Sequence, residues 1–209
     1  RVNLSAEIFP EKDRLPRISF TGDLPEAVFQ KGDERLSLSA DAFAGSLEPE
    51  KDRMRLVLDR WEGRQPGFDL SARFGFHRKK GSGVVLEDIR LRGSKIDVAE
   101  AKAPVLFFSG GRQELDAVFD VLRGGRVKDL LLEARIPGPG RTFSPEDFRL
   151  EGRIEKGVLH IPGIDLDLAS VAAKARIENG RLEAEALKAV HKQASGTDGS
   201  LILSLFDGD

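Results

Sequence analysis

Three histidines are the side chains in this sequence best suited to acid–base or metal chemistry. His77, His160 and His191 fall in separate hairpin-like segments, and none has another His, Cys or carboxylate at the interval of a known metal or nucleophile motif. They read as three unrelated surface or interface histidines. Asp165 and Asp167 look like a cation-binding pair within Ile164-Asp165-Leu166-Asp167-Leu168. Strand alternation, however, places both carboxylates on the solvent side, opposite three aliphatic residues. Ser195-Gly196 has no flanking glycine pattern, no strand-to-helix elbow and no ordered acid and His partner, so it reads as a turn rather than a nucleophile. Trp61 and Phe107-Phe108 could line a cavity, although large aromatics in a β protein are usually core. No acid, base, nucleophile and metal set converges, so the chain is expected to be non-enzymatic, with no cofactor and no metal site.

The most basic stretch is His77-Arg78-Lys79-Lys80-Gly81-Ser82-Gly83. Its glycines would let backbone amides approach a phosphate, which makes Arg78, Lys79 and Lys80 candidates for a lipid headgroup. The plainer reading is a charged hairpin loop. Gly81-Ser82-Gly83 lacks the lysine and the following helix of a P-loop, so no nucleotide site is expected.

Composition narrows the partners. Charged residues make up 33% of the 209 residues, yet the formal charge is only −2, leaving no field of one sign to gather nucleic acid or an acidic membrane surface. Cys is absent, which removes disulfides and thiolate metal sites and suits either a reducing cytosol or a periplasm. No apolar run approaches the roughly 20 residues that cross a bilayer as a helix. The first residues enter strand-like alternation directly, without a signal-peptide pattern, and the chain is expected to be a segment of a longer protein.

The elements that must position these residues are mostly strands. In Phe68-Asp69-Leu70-Ser71-Ala72-Arg73-Phe74-Gly75-Phe76 every even position is apolar and every odd one polar or Gly, the pattern of a half-buried strand. The same period recurs at 2–8, 36–42, 54–58, 130–136, 148–154, 164–168, 171–177 and 201–205. Asn179-Gly180 suits a type I′ turn, and Glu155-Lys156-Gly157 and Asp198-Gly199 also supply residues that tolerate positive φ, so neighbouring strands are expected to be antiparallel. One helix is expected, over 112–123, because Leu115, Val118, Phe119 and Leu122 recur at helical spacing between two glycine pairs.

A weak repeat relates Arg153-Ile154-Glu155-Lys156-Gly157-Val158-Leu159 to Arg176-Ile177-Glu178-Asn179-Gly180-Arg181-Leu182, 23 residues later, and suggests one hairpin as the unit. A looser echo links Ile89-Arg90-Leu91-Arg92-Gly93 to Phe148-Arg149-Leu150-Glu151-Gly152. Pro137-Gly138-Pro139-Gly140 interrupts the pattern, so 1–142 reads as a β-rich segment with the helix and 143–209 as a hairpin module continuing the same sheet system. The expected class is mainly β: stacked antiparallel hairpins forming a curved sheet, groove or open barrel, with one amphipathic helix. A single helix covers little of so many one-sided strands.

In the module, Phe148-Arg149-Leu150-Glu151-Gly152 follows Phe143-Ser144. Ile161-Pro162-Gly163 then leads into Ile164-Asp165-Leu166-Asp167-Leu168, Ile177 to Leu182 forms a hairpin, and Gly199-Ser200-Leu201-Ile202-Leu203-Ser204-Leu205 closes the chain. In this order the features resemble the C-terminal region of AsmA-like proteins, especially the YhdP type, with TamB-type relatives. The resemblance covers about a third of the chain. It implies a long periplasmic β-groove in a diderm bacterium, anchored to the inner membrane by a segment outside this sequence and moving phospholipid toward the outer membrane. Phe68, Leu70, Phe74, Phe76, Ile164, Leu166, Leu168, Leu201, Leu203 and Leu205 are then candidates to line the groove, and Leu115, Val118, Phe119 and Leu122 to cap it. The alternative is a structural scaffold whose sheet edges bind another envelope protein.

Overall fold

The structure, a computed structural model, describes residues 3–10, 15–79, 83–109, 113–137 and 144–205. Lys80, Gly81, Ser82, Gly110, Gly111, Arg112, Gly138 to Phe143 and Phe206 lie outside them, and the side chain of Lys79 is not described. In chain order the strands are β1 (Asn3–Phe9), β2 (Arg17–Lys31), β3 (Glu34–Pro49), β4 (Arg53–Gln65), β5 (Asp69–Lys79), β6 (Gly83–Ser94) and β7 (Ile96–Asp97). Helices α1 (Val98–Ser109) and α2 (Gln113–Val121) follow, then β8 (Leu122–Arg135), β9 (Phe148–Ile161), β10 (Leu166–Glu178), β11 (Arg181–His191) and β12 (Ala194–Ser204).

All strands belong to one open, curved antiparallel sheet that does not close into a barrel. Its order is β1-β2-β3-β4-β5-β6-β8-β9-β10-β11-β12, with β7 pairing β8 beside this path. Apart from the short β7, each strand pairs with the next strand in sequence.

Residues paired across an antiparallel ladder share a face, and the registers convert the sequence alternation into continuous rows. One row runs Ala6, Phe20, Gly45, Leu58, Ala72, Leu91, Leu132, Leu150, Ile177, Leu182, Leu203, from one edge of the sheet to the other without an ionisable side chain. Parallel to it run Ile8, Ile18, Leu47, Leu56, Phe74, Ile89, Ala134 and Phe148. On the other side lie Leu4, Gly22, Phe43, Trp61, Leu70, Gly93 and Leu130. The opposite face is polar, with Arg73, Arg90, Glu133, Arg149, Glu178 and Arg181 in one cross-strand row.

Asn179 and Gly180 both have positive φ, 51° and 73°, and close the β10–β11 hairpin with Ile177 opposite Leu182. The other expected turns do not form. Lys156 (φ 51°) and Asp198 (φ 59°) lie inside β9 and β12, where the ladder registers shift. Asp129, Ser170 and Ala186 occupy corresponding shifts in β8, β10 and β11. A left-handed residue inserted in a strand makes a bulge that bends it and increases its twist.

The single helix expected over 112–123 is replaced by two. α1 starts where the Asp97 carboxylate accepts the N–H groups of Ala99 (3.0 Å) and Glu100 (3.3 Å), an N-cap for an Ala/Glu/Lys-rich run. Its interior Pro104 obscured it in the sequence. α2 carries Leu115, Val118 and Phe119, but Leu122 is already the first residue of β8. The Gly124-Gly125 pair, read as a helix stop, serves a close crossing instead. A Cβ on Gly125 (φ 107°) would lie 2.5 Å from Gly157 Cα.

α1 packs on β8 at one end and on β3 at the other, where Phe108 meets Phe29 of β2 edge-on at 5.5 Å. Phe29 lies opposite Leu36 in the β2–β3 ladder, and the helix pair therefore crosses the apolar face along one set of strand ends. Among the described residues no helix is long and apolar enough to cross a membrane.

Candidate functional site

The apolar face is used differently at its two ends. In the C-terminal half, Val121, Phe148, Ile154, Leu159, Val171, Ala173, Ala175, Ile177, Leu182 and Ala184 form one buried cluster. Val171 is 0% exposed and Ile177 3%. Val118, Leu122, Leu132, Leu150, Leu168, Leu201, Leu203 and Leu205 pack around that cluster and remain half-buried.

In the N-terminal half the same face stays half-exposed. Phe20, Phe43, Leu47, Leu56, Leu58, Trp61, Leu70, Phe74, Phe76 and Leu91 are all intermediate in burial. Among the described residues, full burial on this face is confined to small residues such as Ala72 and to Leu36, Leu38 and Ala40 near the helices, while the buried Val57 lies on the opposite face between Ser46 and Arg73. Phe20, Phe43 and Trp61 form a tilted aromatic series with centroids 6.2 and 6.4 Å apart.

Most sequence-selected apolar residues fall on this face. Leu70, Phe74 and Phe76 do so on β5, Leu166 and Leu168 on β10 opposite Ile161 and Leu159, and Leu201 and Leu203 on β12 opposite Ala184 and Leu182. Leu205 follows β12, its N–H donating to Gly180 O at 2.8 Å. Two residues depart from the expected strands. Phe68 sits in the β4–β5 turn, its carbonyl accepting the Gly63 N–H at 2.8 Å. Ile164 is 70% exposed in a 3-10 turn that Pro162-Gly163 initiates, and Asp165 leaves that turn at φ 47°. Asp165 and Asp167 therefore do not alternate along one strand. The expected cap residues divide likewise: Val118 and Leu122 join the core cluster, while the Lys102 ammonium lies 5.9 Å over the Phe119 ring. Phe107 and Phe108 lie on α1, and Phe108 is 59% exposed rather than core.

The polar face is a lattice of ion pairs that are half-buried around Glu151 and more open elsewhere: Arg90 with Glu133 (3.1 Å), Arg176 with Glu151 (3.6 Å), Arg181 with Glu183 (3.2 Å), and Arg149 with Glu151. The hydrogen bond from Arg149 holds the Glu151 carboxyl below the ordinary glutamate range, and the bond from Lys128 does the same to Glu155. A depression of about 610 Å³ opens on this side, between Arg60, Glu62, Asp69, Ser71, Arg92 and Glu151. Arg78 is exposed at the end of β5, with no ion pair among the described residues.

Strand pairing assembles one cluster that linear spacing hid. His160 Nδ1 lies 2.8 Å from Asp167 Oδ1, His191 Nδ1 donates to the Asp167 carbonyl at 2.8 Å, and Arg123 Nη1 is 3.9 Å from the same carboxylate. These residues come from β8, β9, β10 and β11, so only the ladder registers could have revealed the cluster. His77 lies apart on β5. Among the described residues no group of three or more His, Cys, Asp or Glu is placed to hold a metal ion.

No family model, no curated protein and no solved structure matches the chain.

Proposed function

We propose that this chain is an AsmA-like segment of a longer periplasmic protein, and that it holds or conducts phospholipid acyl chains along its apolar sheet face without catalysing a reaction. One observation carries the reading: the uncharged rows run unbroken across the sheet, yet in the N-terminal half their large side chains are only half-buried. Contiguous exposed apolar surface on this scale is uncommon unless it meets a ligand or partner. Each methylene moved from water onto such a face contributes about 0.8 kcal/mol. Headgroups stay at the rim, where Arg78 is a free cation among the described residues and Lys79 and Lys80 adjoin it in sequence.

The scaffold reading has its own support. Among the described residues β1 pairs with β2 alone, without a register shift, and Leu4 (61%) and Ile8 (67%) are exposed on it, a strand suited to pairing with an added strand. Native mass spectrometry of the protein gently purified from a diderm envelope separates the two. The lipid reading expects adducts at phospholipid masses; bare protein, or protein carrying only a polypeptide partner, would overturn it.

A further inference from the structure

Along one cross-strand row of the polar face the charges alternate in sign, except at one place. From β6 to β11 the row runs Arg90, Glu133, Arg149, Glu178, Arg181, so each cation meets a carboxylate across the ladder. At β5 the alternation breaks, because Arg73 lies directly opposite Arg90. Like charges directly opposite each other destabilise a sheet. The next rung repeats the omission: Arg92 stands between Ser71 and Leu131, with no acid on either side. Glu133 reaches Arg90 at Nε (3.1 Å), whereas the side chains of Arg73 and Arg92 make no ion pair or hydrogen bond among the described residues. The nearest acid along β6, Asp88, lies over Gly75 with Arg135 opposite it and pairs with neither arginine.

Arg73, Arg90 and Arg92 are exposed and border a cleft of about 280 Å³, to which Val57, Asp59 and Ser71 also contribute. Asp59 is the one carboxylate of this lining, so three cations against one anion leave it positive. We infer that the cleft binds a soluble phosphate monoester of a polyol. Guanidinium groups match phosphate oxygens in fork geometry. A monoester offers three terminal oxygens to three arginines, where a carboxylate offers two. Bound there, its charge lies between Arg73 and Arg90 and offsets the repulsion that the ladder leaves. Asp59 accepts a hydrogen bond from the alcohol part of the ester and opposes a second phosphate. The uncharged rows that would hold acyl chains lie on the other face of the sheet, so a lipid headgroup in this cleft would leave its tails in water. The site is therefore independent of what the apolar face holds.

Calorimetric titration of the protein with glycerol phosphate at constant ionic strength tests the assignment. Saturable binding is expected, weakened roughly tenfold or more by Arg73→Gln and by Arg92→Gln, each of which removes charge-assisted hydrogen bonds. Arg181→Gln, in the paired part of the same face, should leave the affinity unchanged. All three variants are checked as folded by circular dichroism. Inorganic phosphate, which has no polyol hydroxyl for Asp59, should bind several-fold more weakly; equal or tighter binding would overturn the ester as ligand. No saturable binding of glycerol phosphate would overturn the site, as would binding that survives both Arg73→Gln and Arg92→Gln. Binding to vesicles containing phosphatidic acid, without binding of glycerol phosphate, would replace the soluble ester by a lipid headgroup and overturn the inference likewise.

Discussion

In β8–β12 each strand carries a residue at positive φ inside a bulge, namely Asp129, Lys156, Ser170, Ala186 and Asp198, and there the apolar face is sealed around Val171 and Ile177. In β2–β4 the registers also shift, but no non-glycine residue adopts positive φ, and the face stays half-exposed. Both halves alternate polar and apolar residues and pair in the same antiparallel way. The difference lies in how each strand is bent and what size of side chain stands on it. Left-handed bulges coil the C-terminal strands tightly, and Ala, Gly and aliphatic residues fill the resulting space. In the N-terminal half Phe20, Phe43 and Trp61 instead lie over Gly45, Gly22 and Gly63. An alternating strand therefore specifies which residues share a face, but not whether that face closes.

Truncations test this contrast most strongly. Ile177→Ala should lower stability by about 2–5 kcal/mol, the cost of a cavity in a buried cluster. Leu56→Ala, on the half-exposed face, should cost only about 1 kcal/mol. Urea denaturation midpoints of the two variants check this, and equal losses would erase the distinction between the halves. Gly180→Val comes next. It forces a β-branched residue to φ 73° in the β10–β11 turn and should cost about 1–2 kcal/mol in the same assay.

A smaller effect of opposite sign sharpens the role assigned to the bulges. Ala186 sits at φ 51°, so Ala186→Gly should relieve left-handed strain and raise stability by about 0.5 kcal/mol, net of the extra chain entropy of glycine. A loss would mean that the bulge is not strained there. The smallest effect belongs to the polar face. Because the folded-state pKa of Glu151 is depressed, its stabilising contribution is present above the ordinary glutamate pKa and lost as pH falls through the folded value. Wild type and Glu151→Gln should therefore differ slightly in denaturation midpoint near neutrality and converge in acid. A gap that persists at low pH would contradict the ion-pair account.

Strand faces were legible because period two holds between the bulges, each of which shifts its phase by one residue: Leu70, Phe74, Leu201 and Leu203 all lie on the apolar face that alternation assigned them, and Leu168 and Val171 share that face across the bulge at Ser170. The Asn179-Gly180 turn was legible for the same local reason. Lys156-Gly157 and Asp198-Gly199 were read as turns because the chemistry that closes a hairpin also accommodates a left-handed bulge, and only the partner strand decides between them. α1 was missed because Pro104 breaks a helical pattern with little amphipathic contrast, although Asp97 and the alanines behind it marked its start. The meeting of His160, Asp167 and His191 depends on the registers of three strands, which no linear spacing encodes. Ile164 was lost to the turn that Pro162-Gly163 imposes.

The most direct test of the central claim places a photo-crosslinking amino acid at Phe74 and, separately, at Ile177, in the protein expressed in a diderm bacterium. The two positions belong to the half-exposed and the sealed parts of one apolar face. Illumination should attach phospholipid at position 74 and none at position 177. Lipid at both positions would contradict the sealed C-terminal core, and lipid at neither would contradict the apolar face as a lipid-holding surface.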